Sequence, residues 1–240
     1  MRLQSVIRTI YPPQCVACDA QTEDDFGLCA ACWRETQFIG GLVCDTCGTP
    51  LPGEDHGEVV QCDDCMTIAR PWNRGRAVLV YAGVGRRLVL GLKHGDRTDL
   101  ARPLAQWMAQ KIANWAMLDT VFVPVPLHWA RIVKRRYNQS ALLAQEIAKA
   151  LDVPVCVDAL LRPKKTKALE GHSREARFAE LSGAIVANPK RMQALAGKHV
   201  ILVDDVMTSG ATLAASAEAA KAAGATDVSI VTLARVVKDA

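Results

Sequence analysis

The chain has 240 residues, half of them hydrophobic, 22% charged and 5% aromatic, with 29 Lys+Arg against 25 Asp+Glu. That composition excludes a disordered or fibrous chain and allows one large domain, or a domain with a small module attached. No apolar run reaches membrane-spanning length, because even 77–92 is broken by Gly85, Arg86 and Arg87, and residues 1–13 are too short and too interrupted for a signal-peptide core. The expectation is a cytoplasmic protein without membrane insertion.

Charge divides the chain unevenly. Residues 1–70 hold 4 Lys+Arg and 11 Asp+Glu, a formal −7, whereas 71–240 hold 25 and 14, a formal +11. The larger part is therefore a basic body suited to phosphate-rich ligands. With Pro71 as the boundary, a module over 1–70 and a second unit over 71–240 are expected.

Eight of the nine cysteines precede residue 66, in four CxxC pairs: Cys15/Cys18, Cys29/Cys32, Cys44/Cys47 and Cys62/Cys65. A CxxC turn aims two sulfurs at one centre, and two such turns complete a tetrahedron around Zn²⁺. Disulfides are the rival reading, but they belong to oxidising compartments, and nothing in the chain indicates export. Four redox CxxC motifs at this density make no sense as a thioredoxin-like set. Two structural zinc sites are expected. Pairing first with second and third with fourth closes short loops, at less entropy than the interleaved alternative. His56 finds no vacancy as a ligand. The module has few large apolar residues, so metal removal is expected to unfold residues 1–70 selectively.

Beyond the module, AVLVYA (77–82) reads as a strand and GVGRRLVLGLKHGDR (83–97) as a short basic helix and turn. Residues 99–117 place Leu100, Leu104, Trp107, Met108 and Ile112 at helical spacing, so the tryptophan belongs to packing. DTVFVPVPL (119–127) is a second buried strand ending in a proline-rich turn, and Asn138 caps a helix over 139–150. VCVDAL (155–160) begins a further strand, with Cys156 as a buried strand residue. RPKKTKALEGHSREAR (162–177) has no sustained apolar period and reads as a mobile loop. Strands recur at 183–187, 199–203 and 227–233. The alternation predicts an α/β fold with a doubly wound, mostly parallel sheet.

Residues 200–212, VILVDDVMTSGAT, carry the most chemistry. Four apolar residues run into Asp204 and Asp205; then Met207, Thr208, Ser209, Gly210, Ala211 and Thr212 lead into an alanine-rich helix. A small-residue loop opening a helix leaves backbone N–H groups free and forms an anion cradle. Gly210 lets the backbone approach a phosphate, and Thr208, Ser209 and Thr212 add hydroxyl donors. The acids repel a phosphate but accept hydrogen bonds from vicinal sugar hydroxyls, or hold a metal's waters. Phosphate and diol side by side describe a ribose 5-phosphate. A Walker loop is excluded, since its GK[ST] ending is missing.

All thirteen of these positions resemble the PRPP-binding signature of type I phosphoribosyltransferases. VPVPLHWARIVKRRYNQSALLAQEIA (123–148) and GLKHGD (91–96), together with the cysteine ribbon, are similar to the ComF family, including its GntX group, over essentially the whole chain. That resemblance implies a pyrophosphate loop at Val125-Pro126-Leu127 with Arg131, Lys134 and Arg135 nearby, and Mg²⁺ arriving with PRPP. It implies help from Lys164, Lys165 or Lys167 in the loop. The chain departs from the family pattern at Leu169, Glu180 and Ile185, where Gln, Asn and Phe are usual. No residue stands out as a catalytic base. The family is linked to DNA uptake in natural transformation (competence) and to use of DNA as nutrient, which implies competence or DNA-processing proteins as partners. On the residues themselves, Lys134-Arg135-Arg136-Tyr137 with Trp129 suits a single-stranded DNA by charge and stacking. The alternative is a non-catalytic factor with a vestigial PRPP site and the ribbon as a protein-docking surface.

Overall fold

The computed structural model describes residues 11–94, 96–164 and 183–237. Residues 11–67 are two cysteine knuckle pairs carrying two short helices, α1 (Ala30–Glu35) and α2 (Asp63–Thr67). After them come β1 (Arg74–Val80), α3 (Gly83–His94), α4 (Ala101–Ile112), β2 (Thr120–Pro124), α5 (Trp129–Arg135) and α6 (Gln139–Leu151). The chain continues with β3 (Leu160–Leu161), β4 (Val186–Ala187), α7 (Met192–Leu195), β5 (His199–Met207), α8 (Ala211–Ala222) and β6 (Asp227–Arg235).

Four strands form a parallel sheet in the order β1-β6-β5-β2. The unbroken apolar runs predicted this, because a strand covered on both faces has no polar alternation. Along β5, Ile201 and Val203 face a core shared with Leu88, Leu104, Met108 and Leu143, whereas Val200 and Leu202 face one shared with Leu213, Ala214 and Ala217. Helices α3, α4 and α6 therefore cover one face and α8 the other, which is the doubly wound arrangement expected. Small side chains at Ala214, Ala217 and Ala220, all buried, let α8 lie close against the sheet.

Helix α6 starts where expected: the Asn138 side chain accepts the Ser140 N–H at 3.0 Å. Trp107 is a packing residue, its ring 5.4 Å from Phe38 and near edge-on. Two strand expectations need correction. Of 155–160, only Val155 pairs with the sheet, through a single bridge to Phe122, and Leu160–Leu161 then form a separate antiparallel pair with Val186–Ala187. The proline at 154 and the turn at Val157–Asp158, fixed by Arg191 on the Asp158 carboxylate at 2.9 Å, interrupt the ladder. Cys156 is accordingly half-buried beside that turn and not inside a strand; burial and the Asp158 charge push its thiol up. β1 begins three residues earlier than its apolar run, because Arg74, Gly75 and Arg76 pair with Ser229, Ile230 and Val231.

The cysteine part is not a separate lobe. Gln37 to Ile39 run along the free edge of β1, with the Ile39 N–H on Val78 O at 2.8 Å and the Val80 N–H on Gln37 O at 2.9 Å. Cys15 and Cys32 pack in the core of α3 and α4, and Cys44, Cys47 and Cys65 in the core of α8. Gly48 shows why its knuckle needs glycine: φ is +69°, and a Cβ there would sit 2.6 Å from the Ala77 nitrogen. Among the described residues, no helix is long and apolar enough to cross a membrane.

Candidate functional site

The sulfurs of Cys15, Cys18, Cys29 and Cys32 lie within 4.8 Å of one another, and so do those of Cys44, Cys47, Cys62 and Cys65. The sequential pairing is therefore the one the fold adopts. Contacts of 3.6 Å, Cys18 to Cys29 and Cys47 to Cys62, suit a tetrahedron of Zn–S bonds about 2.3 Å long, whose edges are about 3.8 Å. Donor type, number and spacing all fit zinc. His56 is exposed and outside both tetrads.

The second site is at the C-terminal ends of β5 and β2, where ligands bind in open α/β sheets. Val203 pairs with Pro124, and the Val125 N–H continues the ladder to Val203 O at 2.9 Å, so the acid pair and the proline turn are neighbours. Asp204 accepts from Ser140 Oγ at 2.9 Å and from the Asp205 N–H at 2.9 Å. Burial, then the Asp205 charge, push its carboxyl up to about 7, against the pull of Lys93 and Ser140. Asp205 is buried; its Oδ1 takes Lys93 Nζ at 3.1 Å, and its Oδ2 has no hydrogen-bond partner among the described residues. A buried carboxylate oxygen lacking a donor is a place where a ligand hydroxyl gains affinity.

The loop after β5 is held open from behind. Arg235 Nη1 donates to Met207 O at 3.2 Å and Thr208 O at 2.6 Å, and Arg70 Nη1 to Ser209 O at 2.9 Å. Those two carbonyls, of Thr208 and Ser209, would otherwise take the N–H groups of Thr212 and Leu213 in one more helical turn. With both carbonyls occupied, the N–H groups of Ser209, Gly210, Thr212 and Leu213 have no partner among the described residues. Ala211 makes only a long contact, 3.5 Å, to Ser209 Oγ. Four free donors at the head of a twelve-residue helix form an anion cradle. The site also differs from the expectation in detail. Met207 is buried core and offers no side chain to a ligand, and Ala211 is buried too; Thr208, Ser209 and Thr212 remain accessible.

Gly210 has φ +83°, and a Cβ there would point inward, 2.7 Å from Met207 Cε and 3.1 Å from Arg70 Nη1. A side chain at 210 thus distorts the loop from behind, in addition to hindering the close backbone approach to a phosphate expected from the sequence. Gly210→Ala is expected to cost about 1–3 kcal/mol of stability through left-handed backbone strain. It should also weaken ribose 5-phosphate binding; a melting curve and a titration identical to the parent's would contradict this placement.

Around the proline turn, Val125 and Pro126 are buried and Leu127 is half-buried; Asn138 Nδ2 fixes Val125 O at 3.0 Å. The N–H groups of Leu127 and His128 are without partners among the described residues. Arg131 is half-buried, and burial lowers its guanidinium pKa. Arg162 is lowered by burial as well, and feels Arg131 as a repulsion and Asp204 as an attraction. His94 is lowered by burial and by the charges of Arg135, Lys93 and Lys134, which places those three cations together at the end of α3. Lys134 is exposed and Arg135 half-buried. The Tyr137 hydroxyl donates to Leu92 O at 2.7 Å, and its side chain is half-buried. Trp129, 67% exposed on a helix that buries no residue, is open. Lys165, Lys167, Leu169 and Glu180 lie outside the described residues, Lys164 is exposed, and Ile185 is a buried core residue.

Sequence reading missed Lys93, Ser140, Arg162, Arg70 and Arg235 as members of this site. Lys93 had a signal, a lysine in the last turn of a helix preceding a Gly-Asp turn. The others had none, because their partners are 27 to 139 residues away.

Residues 6–66 match the double zinc ribbon domain, and residues 101–239 match the phosphoribosyl transferase domain. The "DNA utilization protein YhgH" of Escherichia coli is 29% identical over 217 residues, covering 88% of this chain and 91% of that one. "Competence protein F" of Haemophilus influenzae is 26% identical over 214 residues, covering 87% and 90%. Among solved structures, the UMP synthase of Leishmania donovani aligns with a TM-score of 0.35 at 19% identity, covering 62% of this chain and 24% of that one.

Proposed function

The chain belongs to the phosphoribosyl transferase domain family and carries a double zinc ribbon ahead of that domain, and from this premise we propose that it binds PRPP with Mg²⁺ in the service of DNA utilisation or competence. The observation that carries the reading is the end of β5: two carboxylates, one with a buried oxygen awaiting a donor, beside a loop with four free N–H groups. In this reading residues 1–70 are the ribbon module and 71–240 the phosphoribosyltransferase-like domain.

Asp204 and Asp205 accept hydrogen bonds from the ribose hydroxyls, and residues 208–213 hold the 5-phosphate. Leu127 and His128 offer N–H groups to the pyrophosphate, with Arg131, Lys134 and Arg135 supplying charge. Mg²⁺ bound with PRPP neutralises the pyrophosphate charge. Such a site promotes departure of pyrophosphate from the anomeric carbon by positioning and charge, with no protein base required for that bond to break. Isothermal titration with PRPP and Mg²⁺ tests the binding, and a scan for pyrophosphate release across nucleobases identifies the acceptor. Heats indistinguishable from dilution would overturn the reading.

The names of the relatives favour a nucleic-acid role, and α5 with its C-terminal cap offers a surface for it: Trp129 and Lys134 on the helix and Arg136 at the cap are all exposed. If single-stranded DNA follows this surface, affinity falls steeply with salt and depends little on sequence. Replacing Lys134, Arg135 and Arg136 by alanine is then expected to flatten the salt slope by about two to three units, roughly one per phosphate contact. An unchanged slope would remove α5 from the DNA path.

A further inference from the structure

The phosphate-holding loop is connected to the second cysteine tetrad by a continuous chain of contacts. Cys44 and Cys47 bracket Thr46, whose carbonyl accepts the Trp72 Nε1–H at 2.6 Å. Trp72 is buried, and its ring carries the Arg70 guanidinium 5.5 Å from the centroid. Arg70 in turn donates to Ser209 O at 2.9 Å. The knuckle reaches β1 as well, with the Gly75 N–H on Asp45 O at 2.7 Å, and Cys44, Cys47, Cys65, Trp72 and Met207 share one core. Among the described residues the first tetrad makes no such contact with residues 207–213; it packs among α3 and α4, where Arg87 approaches Cys32 Sγ at 3.7 Å, and meets the acid pair only by way of Lys93 at the far end of α3.

We propose that Arg70 is a positioning residue for the phosphate-holding loop, that the second tetrad sets its place, and that zinc at Cys44, Cys47, Cys62 and Cys65 and a ribose 5-phosphate at residues 208–213 strengthen one another's binding. The inference deepens the ribose 5-phosphate reading and rests on it. Zinc enforces the knuckle that presents Thr46 O to Trp72. Without it Trp72 loses its partner and Arg70 its backing, and the Ser209 carbonyl becomes free to accept the Leu213 N–H. The helix then gains a turn, and the cradle loses donors that faced the phosphate. Arg70 meets this loop through the Ser209 carbonyl, so its proposed effect is exerted through loop geometry.

Binding linkage is reciprocal, so the ligand must also protect the metal. The full-length zinc-loaded chain is mixed with a colorimetric zinc chelator, with and without saturating ribose 5-phosphate. Two release phases are expected, one per tetrad, of which the ligand slows one at least about tenfold, within the usual range of coupling factors, and leaves the other unchanged. In Arg70→Met the protection should vanish and ribose 5-phosphate affinity should fall, while melting temperature and Mg-pyrophosphate binding stay at the parent's values. Trp72→Phe keeps a ring under Arg70 and removes only the bond to Thr46; it should lose several-fold of the protection and serves if Arg70→Met folds poorly. Equal slowing of both phases, or protection that persists in both variants, would overturn the coupling. A parent chain that shows no calorimetric binding of ribose 5-phosphate would overturn the functional reading beneath it instead.

Discussion

Removing zinc from both tetrads is expected to unfold the whole chain, not residues 1–70 alone. The sequence suggested selective unfolding, because the module is poor in large apolar residues. The packing of the cysteine part argues for the larger outcome. Cys15 and Cys32 share a core with Leu88, Leu104 and Val231, and Cys44, Cys47 and Cys65 share one with Leu213 and Ile230. Residues 37–39 also cover the edge of β1 with backbone hydrogen bonds. A structural zinc site contributes about 10–16 kcal/mol in isolated zinc-finger peptides, comparable with the whole stability of a typical domain, about 5–15 kcal/mol. The purified chain should carry one zinc per tetrad, and excess chelator should abolish the far-ultraviolet helical signal of α3, α4 and α6 together with the cysteine part. A melt in which the α/β body keeps its own transition after zinc loss, or cysteines found as disulfides, would refute this.

Replacing both acids, Asp204→Asn with Asp205→Asn, is expected to weaken PRPP binding by about 2–4 kcal/mol, since hydrogen bonds to charged groups are worth about 1.5–3 kcal/mol each. That corresponds to roughly 30- to 1,000-fold in affinity. Titration calorimetry decides it, and parental affinity in the double variant would remove the ribose from this place. The single variants should differ. Asp205→Asn strands the Lys93 ammonium, which is 20% exposed, so it should lower stability as well as affinity. Asp204 behaves oppositely in the unliganded chain. Its carboxyl is raised from 3.8 to about 7, chiefly by burial and then by Asp205. A raised carboxyl contributes stability that is full below pH 3.8 and is lost as pH rises through about 7. Asp204→Asn should therefore gain on the parent as pH rises from 4 to 8 in the absence of ligand. Parallel stability curves for the two proteins across that range would show that Asp204 titrates normally.

Much of this was legible in the residues themselves. Four CxxC pairs fix tetrahedral sites because ligand type and two-residue spacing are local properties, and closing short loops favours the sequential pairing found at 15/18/29/32 and 44/47/62/65. The runs at 119–127, 199–203 and 227–233 read as buried strands. The acid pair and small-residue loop were equally local, and so was the Asn138 cap. Less clear were the strands at 155–160 and 183–187, where β-propensity was satisfied by one bridge and a two-residue ladder. A pairing partner is a property of the fold, and no local pattern specifies it.

What tertiary structure alone decided is how the site is held together. Arg70 and Arg235 look in the sequence like two more surface cations, and only folding brings their guanidinium groups onto the carbonyls of residues 207–209. Lys93 and Ser140 reach the acid pair from the end of one helix and the start of another. Gly210 is the sharpest case: its need for glycine was visible, but the direction in which a side chain would point was not. Backbone and ligand type are written in short segments of chain, whereas charge pairing and loop support depend on distances between segments up to 139 residues apart, which the packing of the sheet and its two cores alone determines.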